Sequence, residues 1–136
     1  MAAERDLRRL LASMDPVQRP GEWVYVSLLP GHAATSTLPS AATVVEEEGT
    51  THVVERHVAD ELGLPYDFVA AWLTLRVHSA LDAVGLTAAV AGALAEAGIS
   101  CNVLAGAHHD HLLVPVDRAA DALGVLRTLS AERDGA

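Results

Sequence analysis

The stretch from Ala71 to Pro115 changes its hydrophobic period twice, and few arrangements accommodate that. Trp72, Leu73, Leu75 and Val77 stand in a short run of apolar and β-forming residues, which predicts a strand over 71–77. From 86 to 97 the spacing becomes helical, with Leu86, Val90, Leu94 and Ala97 on one face and Ala89 and Ala93 beside them. Gly98 ends that helix, because a residue without Cβ takes the left-handed conformation after the last turn. Ile99 to Leu104 and His111 to Val114 return to strand character around a short polar turn. The predicted order is strand, helix, strand, turn, strand, which is an α+β arrangement.

The flanking segments extend this pattern. Leu7, Leu10, Leu11 and Met14 recur at helical spacing with Arg5, Arg8 and Arg9 opposite, so an amphipathic helix is expected over 4–14. Asp15-Pro16 would close it and Pro20-Gly21 would turn the chain into a strand over 22–29. Residues 30–40 show no periodicity and are expected as a loop. Residues 43–56 read as a hairpin turning at Glu48-Gly49-Thr50, with the Glu46-Glu47-Glu48 run as a solvated strand end that discourages edge pairing. A short helix over 57–62 ends at Gly63. Asp117 is the expected N-cap of a last helix through Leu129, with Ala119, Leu123 and Leu126 facing inward and a frayed tail after it.

The two halves resemble each other. Trp23 in EWVYVS aligns with Trp72 in AWLTLR, and the segment ending at Gly63 aligns with the segment ending at Gly124. The offset between the two pairs grows by about the length of the 86–97 helix. Two copies of one β-α-β-β-α unit follow, the first keeping only the loop 30–40 where the second has its first helix.

Composition narrows the function. The chain has 136 residues, 51% of them hydrophobic but only 4% aromatic, so its core must be aliphatic. Nine Lys and Arg against 18 Asp and Glu leave a formal charge of −9, which repels nucleic-acid phosphates and anionic lipid. Neither nucleic acid nor membrane is therefore an expected partner. Cys101 is the sole cysteine, so no disulfide can form within the chain and a reducing, cytoplasmic setting is expected. The N-terminus lacks the apolar region of a secretory signal, and no run approaches the ~20 apolar residues of a membrane span.

Leu73-Thr74-Leu75, Val84-Gly85-Leu86-Thr87 and Ala95-Glu96-Ala97-Gly98-Ile99-Ser100 together resemble the ACT domain. ERHVADELGLPYDFVAAWLTL, AVGLTAAVAGALAEAGISCNV and HHDHLLVPVDRA resemble a group of small stand-alone ACT proteins, over roughly 20–129. The resemblance implies a ferredoxin-like βαββαβ sandwich, in tandem, with the first unit lacking its first helix. It divides the chain into an N-terminal helix and turn (1–19), a degenerate unit (20–70), an ACT domain (71–130) and a tail (131–136). Ala71–Val77 serves as the fourth strand of the first unit, the first of the second, or both. The resemblance further implies amino-acid or other small-effector binding, commonly where two ACT units meet, and regulation of a catalytic domain. No attached catalytic domain is expected here.

The loop Ser79–Thr87 precedes the first full helix. The N–H groups at a helix start are unpaired and carry the positive end of the dipole, so an amino-acid carboxylate would dock there, unless Asp82 or Ser79 caps the helix. Gly85 permits close approach, Thr87 adds a hydroxyl, and Val84 and Leu86 flank them. Ser100, Cys101 and Asn102 enter the next strand beside that loop. Asn102 would hold an amine or carboxylate, or pair with neighbouring backbone; Cys101 reads as a buried thiol. His78, His109, Asp110 and His111 are further candidates. His109 and His111 would begin a zinc site, but His78 and His52 are distant in sequence as further ligands, and HHDH also suits a tight turn.

No nucleophile elbow, P-loop, dinucleotide fingerprint or zinc-protease motif occurs, so no catalytic residue, metal or cofactor is expected. The expected function is that of a small-molecule sensor, binding an amino acid between ACT-like halves or subunits and forming a homodimer. The alternative is an interaction or oligomerisation module with no small ligand. The ligand is expected where the missing helix leaves room opposite Ser79–Thr87.

Overall fold

The computed structural model describes residues 3–134. The chain divides into two compact units, Gly21–Ala70 and the pairing of Met1–Pro20 with Ala71–Ala136. The first twenty residues thus group with the C-terminal half. Strands β1 (Pro16–Leu28) and β4 (Val69–Leu75) each run across a boundary between the units.

In the Gly21–Ala70 unit, β2 (Ala42–Glu46) and β3 (Gly49–Glu55) form an antiparallel hairpin, and β3 pairs with β1 in the order β2-β3-β1. Val26 lies opposite His52 and Val24 opposite Val54, so these side chains share one face. That face, with Leu28, Leu38 and Ala59, makes an aliphatic core. Helix α2 (Arg56–Leu62) covers it through Ala59 and stops at Gly63, whose φ of 65° lets Leu64 N–H reach the Ala59 carbonyl at 2.9 Å. The expected loop 30–40 holds one 3-10 turn, Ala33–Ser36, started by the His32 ring accepting from Ala34 N–H. No α-helix occupies it among the described residues.

In the other unit, α1 (Leu7–Ala12), α3 (Leu86–Glu96) and α4 (Ala119–Asp134) pack on one another, and the strands follow the order β4-β6-β5, with β5 at Asn102–Ala105 and β6 at Asp110–Pro115. Leu86, Val90 and Leu94 of α3 are buried together with Leu10, Leu11, Leu73 and Leu75. Ala122 and Leu126 of α4 close the core, with Leu123 packed at its margin. Each fully buried leucine of this kind contributes about 1.5–3 kcal/mol. No helix of the described residues is long and apolar enough to cross a membrane.

Several expectations are corrected. The N-terminal helix is shorter than 4–14, because Asp6 caps it by accepting from Arg9 N–H at 3.0 Å, leaving Glu4 extended. Pro20-Gly21 makes no turn: β1 passes straight through it, with Gly21 at φ 101°. The hairpin turns at Glu47-Glu48, since Glu46 pairs directly with Gly49. The strand expected at 71–77 begins and ends two residues earlier, and Ala97 is exposed at the C-cap of α3. Asp117 does not cap the last helix. It sits inside a 3-10 turn, Val116–Arg118, that leads directly into α4. Residues 131–134, expected as tail, are the last turn of α4, and residues 135–136 of that tail lie outside the described residues.

Gly49 is the tightest backbone position of the hairpin: its φ is 148°, and a Cβ there would collide with the Leu28 carbonyl. Gly49→Ala is expected to cost about 1–3 kcal/mol. Urea unfolding would register this as a lower midpoint at unchanged slope, and an unmoved midpoint would contradict it.

Candidate functional site

Between β4 and α3 the chain runs irregularly from Arg76 to Gly85, and the N-terminal segment holds it. Glu4 N–H donates to the His78 carbonyl at 2.8 Å, and the Glu4 carbonyl accepts from Ala80 N–H at 2.9 Å. Arg5 meets Asp82 at 3.0 Å on the surface, a contact that water screens. Ala83 N–H then donates to the Ala80 carbonyl at 3.0 Å, and the segment ends at Gly85, the N-cap of α3. Gly85 has φ 105° and lies under Leu7, whose Cδ2 would be 2.9 Å from any Cβ placed there. A residue with a side chain would be both strained and blocked.

No side chain among the described residues caps α3. Asp82 is turned outward to Arg5, and Ser79 Oγ lies 3.3 Å from Asp110 Oδ2, so neither makes the expected cap. Among the described residues, the positive end of this eleven-residue helix therefore has no anionic or hydroxyl capping partner. It opens on a cavity of about 120 Å³. Ser79, Ala80, Ala83 and the start of α3 at Gly85, Leu86 and Thr87 form one side. Ala105 and Asp110 form the other, facing each other as the last pair of the β5–β6 ladder. A carboxylate, with the Ser79 hydroxyl beside it, thus shares a small cavity with a helix N-terminus, an arrangement with charge complementary to a zwitterion.

Of the candidates from the sequence, Ser79, Gly85, Leu86, Thr87 and Asp110 come together here. Val84 is 83% exposed and lies off the cavity. Ser100, Cys101 and Asn102 do not line it either. Cys101 instead packs beside the aliphatic core, where burial pushes its thiol pKa up. The HHDH segment is not one tight turn: residues 106–109 form the loop, and Asp110 and His111 already belong to β6. Ala80, Leu81, Ala83 and Ala105 were not foreseen, because alanines and a lone leucine carry no chemical signal in sequence. The hairpin register that brings Ala105 opposite Asp110 was the one available cue.

The histidines serve other purposes. His78 and His108 approach each other with ring centroids 5.5 Å apart and planes tilted by 56°, and neither lines the cavity. His111 accepts from Trp72 Nε1–H at Nδ1, 3.2 Å away, and Thr74 Oγ1 lies 3.0 Å from the same nitrogen. The indole can only donate, so the neutral ring keeps its proton on Nε2. Burial lowers the His111 pKa, helped by His109 and Arg19 and opposed by Asp110. No group of three or more His, Cys, Asp or Glu among the described residues is placed to hold a metal ion.

In two larger clefts several of the polar groups are already engaged. One, of about 430 Å³, is bordered by Asp15, which pairs with Arg76 at 2.7 Å, and Ser130, which donates to the Ala12 carbonyl at 3.1 Å. The other, of about 360 Å³, is walled by Glu22, Glu55, Arg56, His57 and Asp60, which pair among themselves.

Comparison with known proteins gives two matches to models described as ACT domain, over residues 2–71 and 68–128. The matches overlap inside the run that forms the start of β4. A protein of unknown function from Vibrio cholerae, described as a possible transport protein, is 41% identical over 91% of this chain and 95% of its own, with a TM-score of 0.82. A protein from Agrobacterium tumefaciens is 17% identical over 85% and 87%, with a TM-score of 0.68. The regulatory subunit of aspartate kinase from Thermus flavus shares the fold at 10% identity over 87% and 98%, with a TM-score of 0.61. A search of curated proteins found no match.

The lowered pKa of His111 has a defined consequence. The unfolded chain binds the proton more tightly, so the contribution of this group to stability is complete above about pH 6.5 and falls as pH drops through the folded-state pKa. Proton NMR should place the His111 midpoint below 6.5, and protonation at Nδ1 should break the Trp72 hydrogen bond and shift its indole N–H resonance. A midpoint at or above 6.5 would contradict this arrangement.

Proposed function

The chain belongs to the ACT-domain family, and we propose that it is a non-catalytic regulatory sensor that binds an α-amino acid or close relative at the start of α3. The observation that carries this is the uncapped helix start sharing a small cavity with Asp110 and Ser79. A ligand carboxylate would accept from the backbone N–H groups of Leu86 and Thr87, with the helix dipole favouring its charge. The ligand ammonium would donate to Asp110 and to the Ser79 oxygen, charge-assisted bonds that are stronger than neutral ones. The kinase regulatory subunits that share this fold support the regulatory part of the proposal. Binding would favour whichever arrangement of the protein presents the closed site, and that differential affinity is the signal. The single cysteine suits a reducing, cytoplasmic setting.

Self-association is a second reading, favoured by β2, an edge strand on which Val44 is 50% and Val45 85% exposed. Sedimentation should then show a dimer that Val45→Lys dissociates, while a monomer at all concentrations removes this reading.

Thermal unfolding against a panel of amino acids tests the main proposal. A ligand at a hundred times its dissociation constant adds about 2.7 kcal/mol to stability. Asp110→Asn removes the partner of the ammonium and should weaken binding by about 1.5–3 kcal/mol. Equal affinity in wild type and Asp110→Asn would place the ligand elsewhere.

A further inference from the structure

We infer that a second copy of this chain pairs with β2, strand against strand, in one antiparallel register centred on Val44. The inference rests on the self-association reading of this edge and adds the geometry of the contact. β2 stands at one end of the strand order, and among the described residues no strand lies on its outer side. Its open backbone groups follow from the hairpin. The turn has two residues and closes on Glu46 and Gly49, which in such turns form a hydrogen-bonded pair. Backbone groups alternate in direction along a strand, so Glu46, Val44 and Ala42 point theirs to Gly49, Thr51 and Val53. Thr43 and Val45 therefore turn their N–H and C=O groups outward. Just before the strand, Ala41 N–H is already tied to the Val53 carbonyl at 2.8 Å.

A two-fold axis beside Val44 sets Thr43 of each copy opposite Val45 of the other, and every outward N–H and C=O of these residues is then paired. Val44 meets its own copy, and Val45, 85% exposed in the single chain, gains the Thr43 methyl as a neighbour. Charge excludes the other registers. Glu46, Glu47 and Glu48 lie at one end of the edge, whereas Ser40, Ala41 and Ala42 at the other end are uncharged. Pairing about Val44 puts Glu46 opposite Ala42 and keeps the two Glu46 residues about 14 Å apart along the strands, at about 3.4 Å per residue. Centring on Val45 halves that separation, and parallel pairing sets the acidic runs side by side. Centring on Thr43 requires the Ala41 N–H that Val53 holds. Glu46 also accepts from Thr51 Oγ1 at 2.6 Å, which draws its carboxylate back over its own hairpin. A foreign strand would need cations to answer three carboxylates, but a second copy avoids them by symmetry. The acidic run thus selects the orientation of the pair.

Oxidative cross-linking of the full chain tests the register. In a non-hydrogen-bonded antiparallel pair the Cα atoms stand about 4.5 Å apart, within the roughly 4.4–6.8 Å that a disulfide spans. Under mild oxidation Val44→Cys should run as a covalent dimer on a non-reducing gel. Glu47→Cys should not, nor should the wild type, whose sole cysteine is the partly buried Cys101. Hydrogen exchange supplies a reading that needs no variant: the Thr43 and Val45 amides should exchange at least about tenfold more slowly in the concentrated than in the dilute protein. A dimer in sedimentation whose Val44→Cys form cross-links no faster than Glu47→Cys would overturn the register and leave self-association standing. Thr43 and Val45 amides that stay unprotected in a dimer overturn it as well. A monomer at every concentration, or protection that appears only with a foreign protein added, removes the self-association itself.

Discussion

Close aliphatic packing of three helices is the constraint on which the C-terminal half depends. Its core is built from Leu, Val, Ala, Ile and Met, without an aromatic ring. Dispersion and hydrophobic burial must therefore come from many small contacts at close range. Ala119 and Ala122 on α4, and Ala89 on α3, allow the helices to approach, and Leu94 and Leu126 fill what remains. Helix α1 completes the layer with Leu10 and Leu11, and Met14 just beyond it adds to the same core, although this segment lies far from this half in sequence. Its grouping with residues 71 onward follows from this burial.

The same packing determines the candidate site. Leu86 is drawn into the core, which positions the first turn of α3, and Leu7 rests on Gly85 immediately before it. Gly85 takes a positive φ of 105° as the N-cap of α3. Asp82 is carried outward to Arg5 and Ser79 towards Asp110. Two residues that would ordinarily satisfy the helix start are thereby held away from it. The N-terminal extension takes part directly, because Glu4 binds the wall at His78 and Ala80 through its backbone.

Trp72, Thr74 and His111 form a separate polar arrangement on β4 and β6. Arg19 stands 4.8 Å from the Trp72 ring, which places a cation on the indole face near a histidine that is kept neutral. These residues alternate along β4 with Leu73 and Leu75, which enter the helix-covered core. The two faces of the strand thus do different work: one supplies apolar area, and the other satisfies a buried indole N–H.

The succession of periods in residues 71–115 was enough to determine the strand, the helix and the strand pair, since each needs only local spacing and a glycine stop. The tandem was legible as well, because Trp23 and Trp72 stand in similar phrases; the other pair of anchors is not equivalent, since Gly63 ends α2 whereas Gly124 lies inside α4. Boundaries were less legible where two local preferences competed. Proline and glycine at 20–21 signal a turn, yet β1 runs through them, as a single positive φ at Gly21 is tolerated within a strand. Asp117 has the chemistry of a cap, but the chain winds into a 3-10 turn there and gives it no capping role. For the site, the sequence by itself determined that a helix begins after Gly85 and that carboxylates and hydroxyls lie nearby. Only the tertiary structure decided that Asp82 would face Arg5 and that the β5–β6 register would set Asp110 across from the uncapped helix. The reason is physical: helix starts follow from local spacing, whereas the partner of a charge depends on long-range packing, which composition and periodicity do not encode.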